Sequence, residues 1–94
     1  MMTFILFGKY TLDGLKNMSA ERTESAVEAI EQCGGQVEAM YATLGPYDLV
    51  FVISFPTVED AMKCSVFLSR MTGIAFTSAP AVLVEQFDEM MSET

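Results

Sequence analysis

Between Leu44 and Phe55 the chain reads LGPYDLVFVISF, and this stretch restricts the fold more than any other. Gly45-Pro46 forms a tight turn, Tyr47-Asp48 is a polar pair, and a strand follows that is apolar on both sides. Tyr47, Leu49, Phe51, Ile53 and Phe55 alternate onto one face, against Asp48, Val50, Val52 and Ser54 on the other. A strand of this kind has to be covered twice, so it belongs in the middle of a sheet. The strand therefore needs a cover on each of its two faces.

The remaining elements arrange themselves around it. Thr3 to Gly8 (TFILFG) is a second doubly apolar strand, and Lys9-Tyr10 carry it outward. Asp13-Gly14 break the pattern. Leu15, Thr23, Ala26, Val27, Ile30 and Cys33 then recur near helical spacing, with Glu21, Arg22, Glu24, Glu28 and Glu31 opposite. Ser19 can cap a second segment, so this helix kinks or starts late, and Gly34-Gly35 end it. Gln36 to Leu44 reads as a strand in which Val37, Ala39, Tyr41 and Thr43 alternate against Glu38, Met40, Ala42 and Leu44. Gly45-Pro46 is too short for a crossover, so Tyr47 to Phe55 returns antiparallel as a hairpin. Thr57 caps a second long helix with Asp60 in its first turn, Ala61, Cys64, Ser65, Leu68 and Met71 as its inner stripe, and Gly73 as its stop. Ile74 to Val84 is the last strand, with Pro80 fitting an edge or a bulge, and Glu85 to Met91 is a short acidic helix. The order β-α-β-β-α-β with right-handed crossovers is the ferredoxin-like α+β sandwich, a four-stranded antiparallel sheet with both helices on one face. Nothing divides residues 1–94, so one domain is expected.

Two helices cover one face only. On the other, Val50 and Val52 lie beside apolar residues of the first strand, and each such side chain left in water forgoes about 1.5–3 kcal/mol. A patch of that kind marks an interface. The expectation is a symmetric homodimer, two sheets packed face to face, held without a disulfide. The alternative is that the C-terminal helix folds across this face within one chain.

Thirteen acids against five bases give a net charge of −8, a surface that repels phosphate backbones and anionic lipid. Nucleic acid and membrane are therefore not expected partners. No stretch has the length to span a bilayer, and the Phe4–Phe7 run lacks the features of a signal peptide. Cys33 and Cys64 fall inside helical patterns and read as reduced, buried thiols, which together place the protein in the cytoplasm.

At one end of the sheet the first strand finishes where the third and fourth begin. Lys9, Tyr10, Tyr47, Asp48 and the segment Phe76–Ser78, with Thr77 at its centre, meet there. An acid, an amine, phenols and hydroxyls beside apolar walls suit a small polar-headed organic ligand. Lys9, Tyr47, Asp48 and Thr77 are the candidate binding residues, and Gly45 and Pro46 the structural turn. Asp48 has a plainer reading as well, as a partner of Lys9 or a cap on the hairpin turn. Histidine is absent, which removes the usual imidazole base and the commonest metal and haem ligand, and no catalytic triad, EF-hand or phosphate loop is present. No cofactor or metal is expected.

Leu44-Gly45-Pro46-Tyr47-Asp48-Leu49-Val50, followed by Phe55-Pro56, resembles the signature of the GYD-domain family, small bacterial and archaeal proteins named for a Gly, one variable residue and Tyr-Asp. Pro46 occupies the variable position. The likeness runs through Lys9-Tyr10-Thr11, Asn17-Met18, Arg22, Gly34-Gly35, Ala61-Met62-Lys63, Thr77, Pro80-Ala81 and Glu85-Gln86-Phe87, nearly the whole chain. The family is similar to the dimeric α+β barrel group, which includes cofactor-free monooxygenases, lactone isomerases, haem-degrading enzymes and amino-acid-sensing regulator domains. The GYD family brings no settled activity with it, and fold analogy is weak warrant for one. Three readings follow: a non-catalytic, homo-oligomeric small-molecule binding or sensing module; a cofactor-free monooxygenase- or isomerase-like enzyme acting on a small organic acid or aromatic, with Asp48 as base and Lys9 or Tyr47 stabilising negative charge; and a structural assembly subunit. The first has the lead, because no His and no triad support the second.

Overall fold

The computed structural model describes residues 1–92; Glu93 and Thr94, the end of the expected domain, lie outside the described residues. The order is β1 (Met2–Tyr10), α1 (Leu12–Lys16), α2 (Ala20–Gln32), β2 (Gln36–Ala42), β3 (Leu49–Phe55), α3 (Val58–Thr72), β4 (Ile74–Ala81) and α4 (Val84–Ser92). The four strands form one antiparallel sheet in the order β2-β3-β1-β4, so the two doubly apolar strands are central, as their composition requires. Register pairs Leu6 with Phe51 and Phe4 with Ile53, which stacks the large side chains of β1 and β3 in one layer.

Local chemistry accounts for the helix ends. Thr11, Ser19 and Thr57 each take an extended backbone, and each hydroxyl accepts from an N–H three residues on, at Gly14, Arg22 and Asp60. Gly73 closes α3 at φ 73°, a left-handed conformation that strains any residue with a Cβ. The expected late start of the first helix is real: α1 is a single turn, and α2 begins after the Ser19 cap.

The core is the layer between the sheet and α2/α3. Phe4, Leu6, Ile30, Ile53, Phe55, Cys64 and Leu68 are sealed in it, with Phe4 and Phe55 edge to face at 5.9 Å. Cys33 and Cys64 are free thiols, and burial, reinforced by neighbouring Cys33, pushes the Cys64 thiol up to about 12.

Several details differ from the sequence reading. A bulge between Val37 and Ala39 puts Glu38 out of register, so Val37 and Met40 pack on the core while Ala39 and Tyr41 turn to the other face. Unbroken alternation had grouped Val37 with Ala39 and Tyr41. The α3 stripe ends on Thr72, not Met71, because the Thr72 hydroxyl donates to the Leu68 carbonyl and accepts from Ile74 N, which lets it be buried at the helix end. β4 stops at Ala81, just after Pro80, and α4 carries no buried residue. Among the described residues α4 makes no extensive contact with another element and buries none of its side chains, so it does not roof the uncovered sheet face. That face presents Ile5, Phe7, Val50 and Val52, all half-buried.

Candidate functional site

Alternation predicts that β3 opens at Tyr47, yet it begins only at Leu49. Residues 43–48 instead form a loop closed by Thr43 N donating to Asp48 O at 2.8 Å and Thr43 Oγ1 donating to Tyr47 O at 2.7 Å. Freed from strand alternation, Tyr47 turns away from the helices and lays its ring on Phe7, 4.8 Å between centroids. Asp48 reaches the other way: its Oδ2 accepts from Tyr10 N at 2.8 Å, and its own N–H donates to Gly8 O at 2.9 Å. Asp48 therefore clamps the hairpin to the end of β1, satisfying an N–H where the ladder runs out. Lys9, paired with Ala75, and Thr77, paired with Phe7, share the uncovered face by register. So the structure gathers Lys9, Tyr47 and Thr77 along the open face around Phe7 and sets Asp48 into the backbone junction.

The concavity lies on the opposite side. Between α2 and the sheet, next to the same sheet end, is a cleft of about 140 Å³. Its walls are Met18, Ala26, Met40, Leu49, Phe51, Ile74 and Phe76, and its polar lining includes Tyr10, Arg22, Thr23 and Thr72. None of Lys9, Tyr47, Asp48 or Thr77 lines it. Two features adjoin its lining residues. Gly8 lies between Leu49 and Phe76 in the sheet, where a Cβ would come within 2.8 Å of the Phe76 ring. Next to Tyr10, Thr72 and Ile74 of its lining, the Thr11 hydroxyl donates to the Gly73 carbonyl and accepts from Gly14 N, tying the α1 turn to the α3–β4 turn.

Arg22 joins α2 to the α1 turn through Nη1, which donates to the Gly14 carbonyl. It is the one base of the chain's five that is half-buried; Lys9, Lys16, Lys63 and Arg70 are exposed. Among the described residues no carboxylate pairs with it. The sequence reading put Arg22 on the solvent side of its helix with the glutamates. Its position was a missed signal: the first turn of a helix favours an acid, and an arginine there works against the helix dipole. Among the described residues no group of three or more metal-ligating side chains comes together, and no helix is long and apolar enough to cross a membrane.

A four-stranded antiparallel sheet in this order, backed on one face by two helices, defines the molecule as a ferredoxin-like α+β domain with a cleft at one end of its helix–sheet layer. Among solved structures it is similar to the leucine response regulatory protein of Mycobacterium tuberculosis, with a TM-score of 0.58 at 10% identity over 87% of this chain and 51% of that one. A glutamate-to-alanine mutant structure is similar too, with a TM-score of 0.57 at 10% identity over 87% and 50%. The chain thus spans about half the length of each. No curated protein matches it in sequence. The family profile described as GYD domain matches residues 4–91, and the chain belongs to the GYD-domain family.

Proposed function

We propose that this chain is a non-catalytic, cytoplasmic small-molecule binding or sensing module that works as a homo-oligomer. The observation that carries the reading is the cleft, an apolar hollow with few polar groups beside an otherwise well-packed core. At about 140 Å³ it is smaller than the ~300 Å³ at which drug-sized sites begin, which suits a metabolite of a few carbons. The similar structure whose name describes it as a leucine response regulator supports a sensing role at the level of fold. The enzyme reading rested on Asp48 as a base, and the Asp48 carboxylate instead accepts from a backbone N–H at the end of β1.

The oligomer follows from the uncovered face. Ile5, Phe7, Val50 and Val52 form a continuous apolar strip across β1 and β3, and a second copy of the sheet is its natural cover. Lys9, Tyr47 and Thr77 then sit between the two sheets, around the Phe7–Tyr47 ring pair. Native mass spectrometry of the purified protein tests both parts. A dimer or larger species that releases a small mass on denaturation is expected; an empty monomer overturns the reading.

A further inference from the structure

We infer that the cleft is a carboxylate site: it takes a small monocarboxylic acid with a branched or ring-like apolar body, anchored on Arg22, and discriminates against the corresponding α-amino acid. The inference rests on the binding-module reading above and names the ligand class of that site.

Arg22 carries the argument. A guanidinium has five N–H donors in a planar fork, and the described partner here, the Gly14 carbonyl, engages one nitrogen. The rest of the fork has no acceptor among the described residues, although the side chain is half-buried and lines the cleft. A fork left open in this way fits a carboxylate, which it can grip through two parallel hydrogen bonds. The setting strengthens the preference for an anion, because Arg22 stands in the first turn of α2, where the helix dipole adds positive potential. The same position makes the residue locally unfavourable in the empty protein, a cost that an incoming negative charge offsets.

The walls define the rest of the ligand. Met18, Met40, Leu49, Phe51, Ile74 and Phe76 offer only apolar surface, so a bare inorganic anion would leave them unfilled. A cavity of about 150 Å³ holds a benzene-sized body, and this one measures about 140 Å³. An α-amino group is the unfavourable addition. No Asp or Glu lines the cleft, so an ammonium would give up its water beside a guanidinium with no carboxylate to receive it. The recognition chemistry therefore parts from the leucine response that the similar structure's name describes.

Three probes with one carbon skeleton separate the possibilities: isocaproate, its neutral amide isocaproamide, and leucine, titrated into the ¹⁵N-labelled chain and followed by amide chemical shifts. Isocaproate is expected to shift the amides of Met18, Arg22, Thr23 and Met40 saturably. Isocaproamide, which loses the charge-assisted hydrogen bond, and leucine, which must desolvate its ammonium beside Arg22, are each expected to bind about tenfold or more weakly. Arg22→Lys, which keeps the charge without the fork, weakens isocaproate less than Arg22→Gln. Arg22 also holds the Gly14 carbonyl, so its substitution perturbs the fold as well, whereas the comparison of acid with amide on the unaltered chain needs no variant. Equal binding of amide and acid overturns the carboxylate assignment, equal binding of leucine and isocaproate overturns the discrimination against the α-amino acid, and either result leaves the cleft as a binding site. Isocaproate binding that is unchanged in a folded Arg22→Gln chain removes Arg22 from the site. No shift with isocaproate also overturns the assignment, while the binding-module reading is decided separately by the mass that the purified protein releases.

Discussion

Replacing Asp48 separates a structural tyrosine–aspartate motif from a chemical one. Its carboxylate satisfies one half-buried N–H, that of Tyr10, at 2.8 Å, while its own backbone N–H and C=O hold Gly8 and Thr43 whatever the side chain. Asp48→Ala leaves the Tyr10 N–H without a protein acceptor. An unsatisfied buried donor costs about 1–3 kcal/mol, and partial access to water brings the expectation to about 1–2 kcal/mol. Asp48→Asn keeps an oxygen in place and loses only the charge assistance, about 0.5–1 kcal/mol. For a domain of this length each kcal/mol moves Tm by about 4–8 °C. Urea midpoints and Tm, taken at one protein concentration so that assembly does not intrude, should rank wild type above Asn above Ala. Tyr10 amide exchange should accelerate most in the alanine variant, and ligand uptake by the cleft should persist in both folded variants. If Asp48→Ala matches wild type in stability, or if Asp48→Asn retains stability but loses bound ligand, the clamp account fails and Asp48 belongs to the site.

Three further outcomes follow from the same geometry. Gly8→Ala forces a Cβ against the Phe76 ring at 2.8 Å, so it should cost about 1–3 kcal/mol and narrow the cleft, lowering ligand affinity more than Asp48→Asn does; affinity equal to wild type would show that the floor is unimportant. Val52→Glu puts a charge in the middle of the uncovered face, and light scattering should then find monomer where the parent is dimeric; an unchanged mass would point to another interface. The Cys64 thiol, raised from an ordinary value of 9.0 to about 12, keeps its proton in the folded state across a range where the unfolded chain has lost it. Stability in reducing buffer should accordingly fall as pH rises from about 9 towards 12, with a steepness approaching one proton. Cys64→Ala should flatten that fall, and equal slopes in the two proteins would refute the assignment.

What the sequence made legible was local. Ser19, Thr57 and Gly73 announce helix ends through their own backbone chemistry, and the doubly apolar runs around Leu6 and Phe51 identify the central strands without reference to anything distant. What it hid depends on three-dimensional neighbours. The bulge at Glu38 reverses the faces of β2 without any glycine to announce it, and Glu38 then accepts from the Ser54 hydroxyl across the pair at 3.1 Å. Tyr47 leaves the alternation because the loop bonds of Thr43 release it to Phe7. By periodicity Arg22 is one more charge on a polar helix face, and only the tertiary fold brings it to the cleft. Chain order is enough to bring Lys9, Tyr47, Asp48 and Thr77 to one end of the sheet, but which face each occupies is decided by these contacts.

The outer strands carry a consequence for how such a chain can multiply. β2 is interrupted by its bulge, and Pro80 deletes one N–H from β4, so neither lateral border offers an unbroken row of hydrogen-bonding groups. Growth strand by strand, the route to fibrils, is discouraged at both borders. The apolar strip is on a face instead, and a face is used up once it is covered by its own twin. A border can always accept another copy, whereas a face can be shared only in pairs, so the same irregularities that shorten β2 and β4 direct association towards assemblies that stop growing.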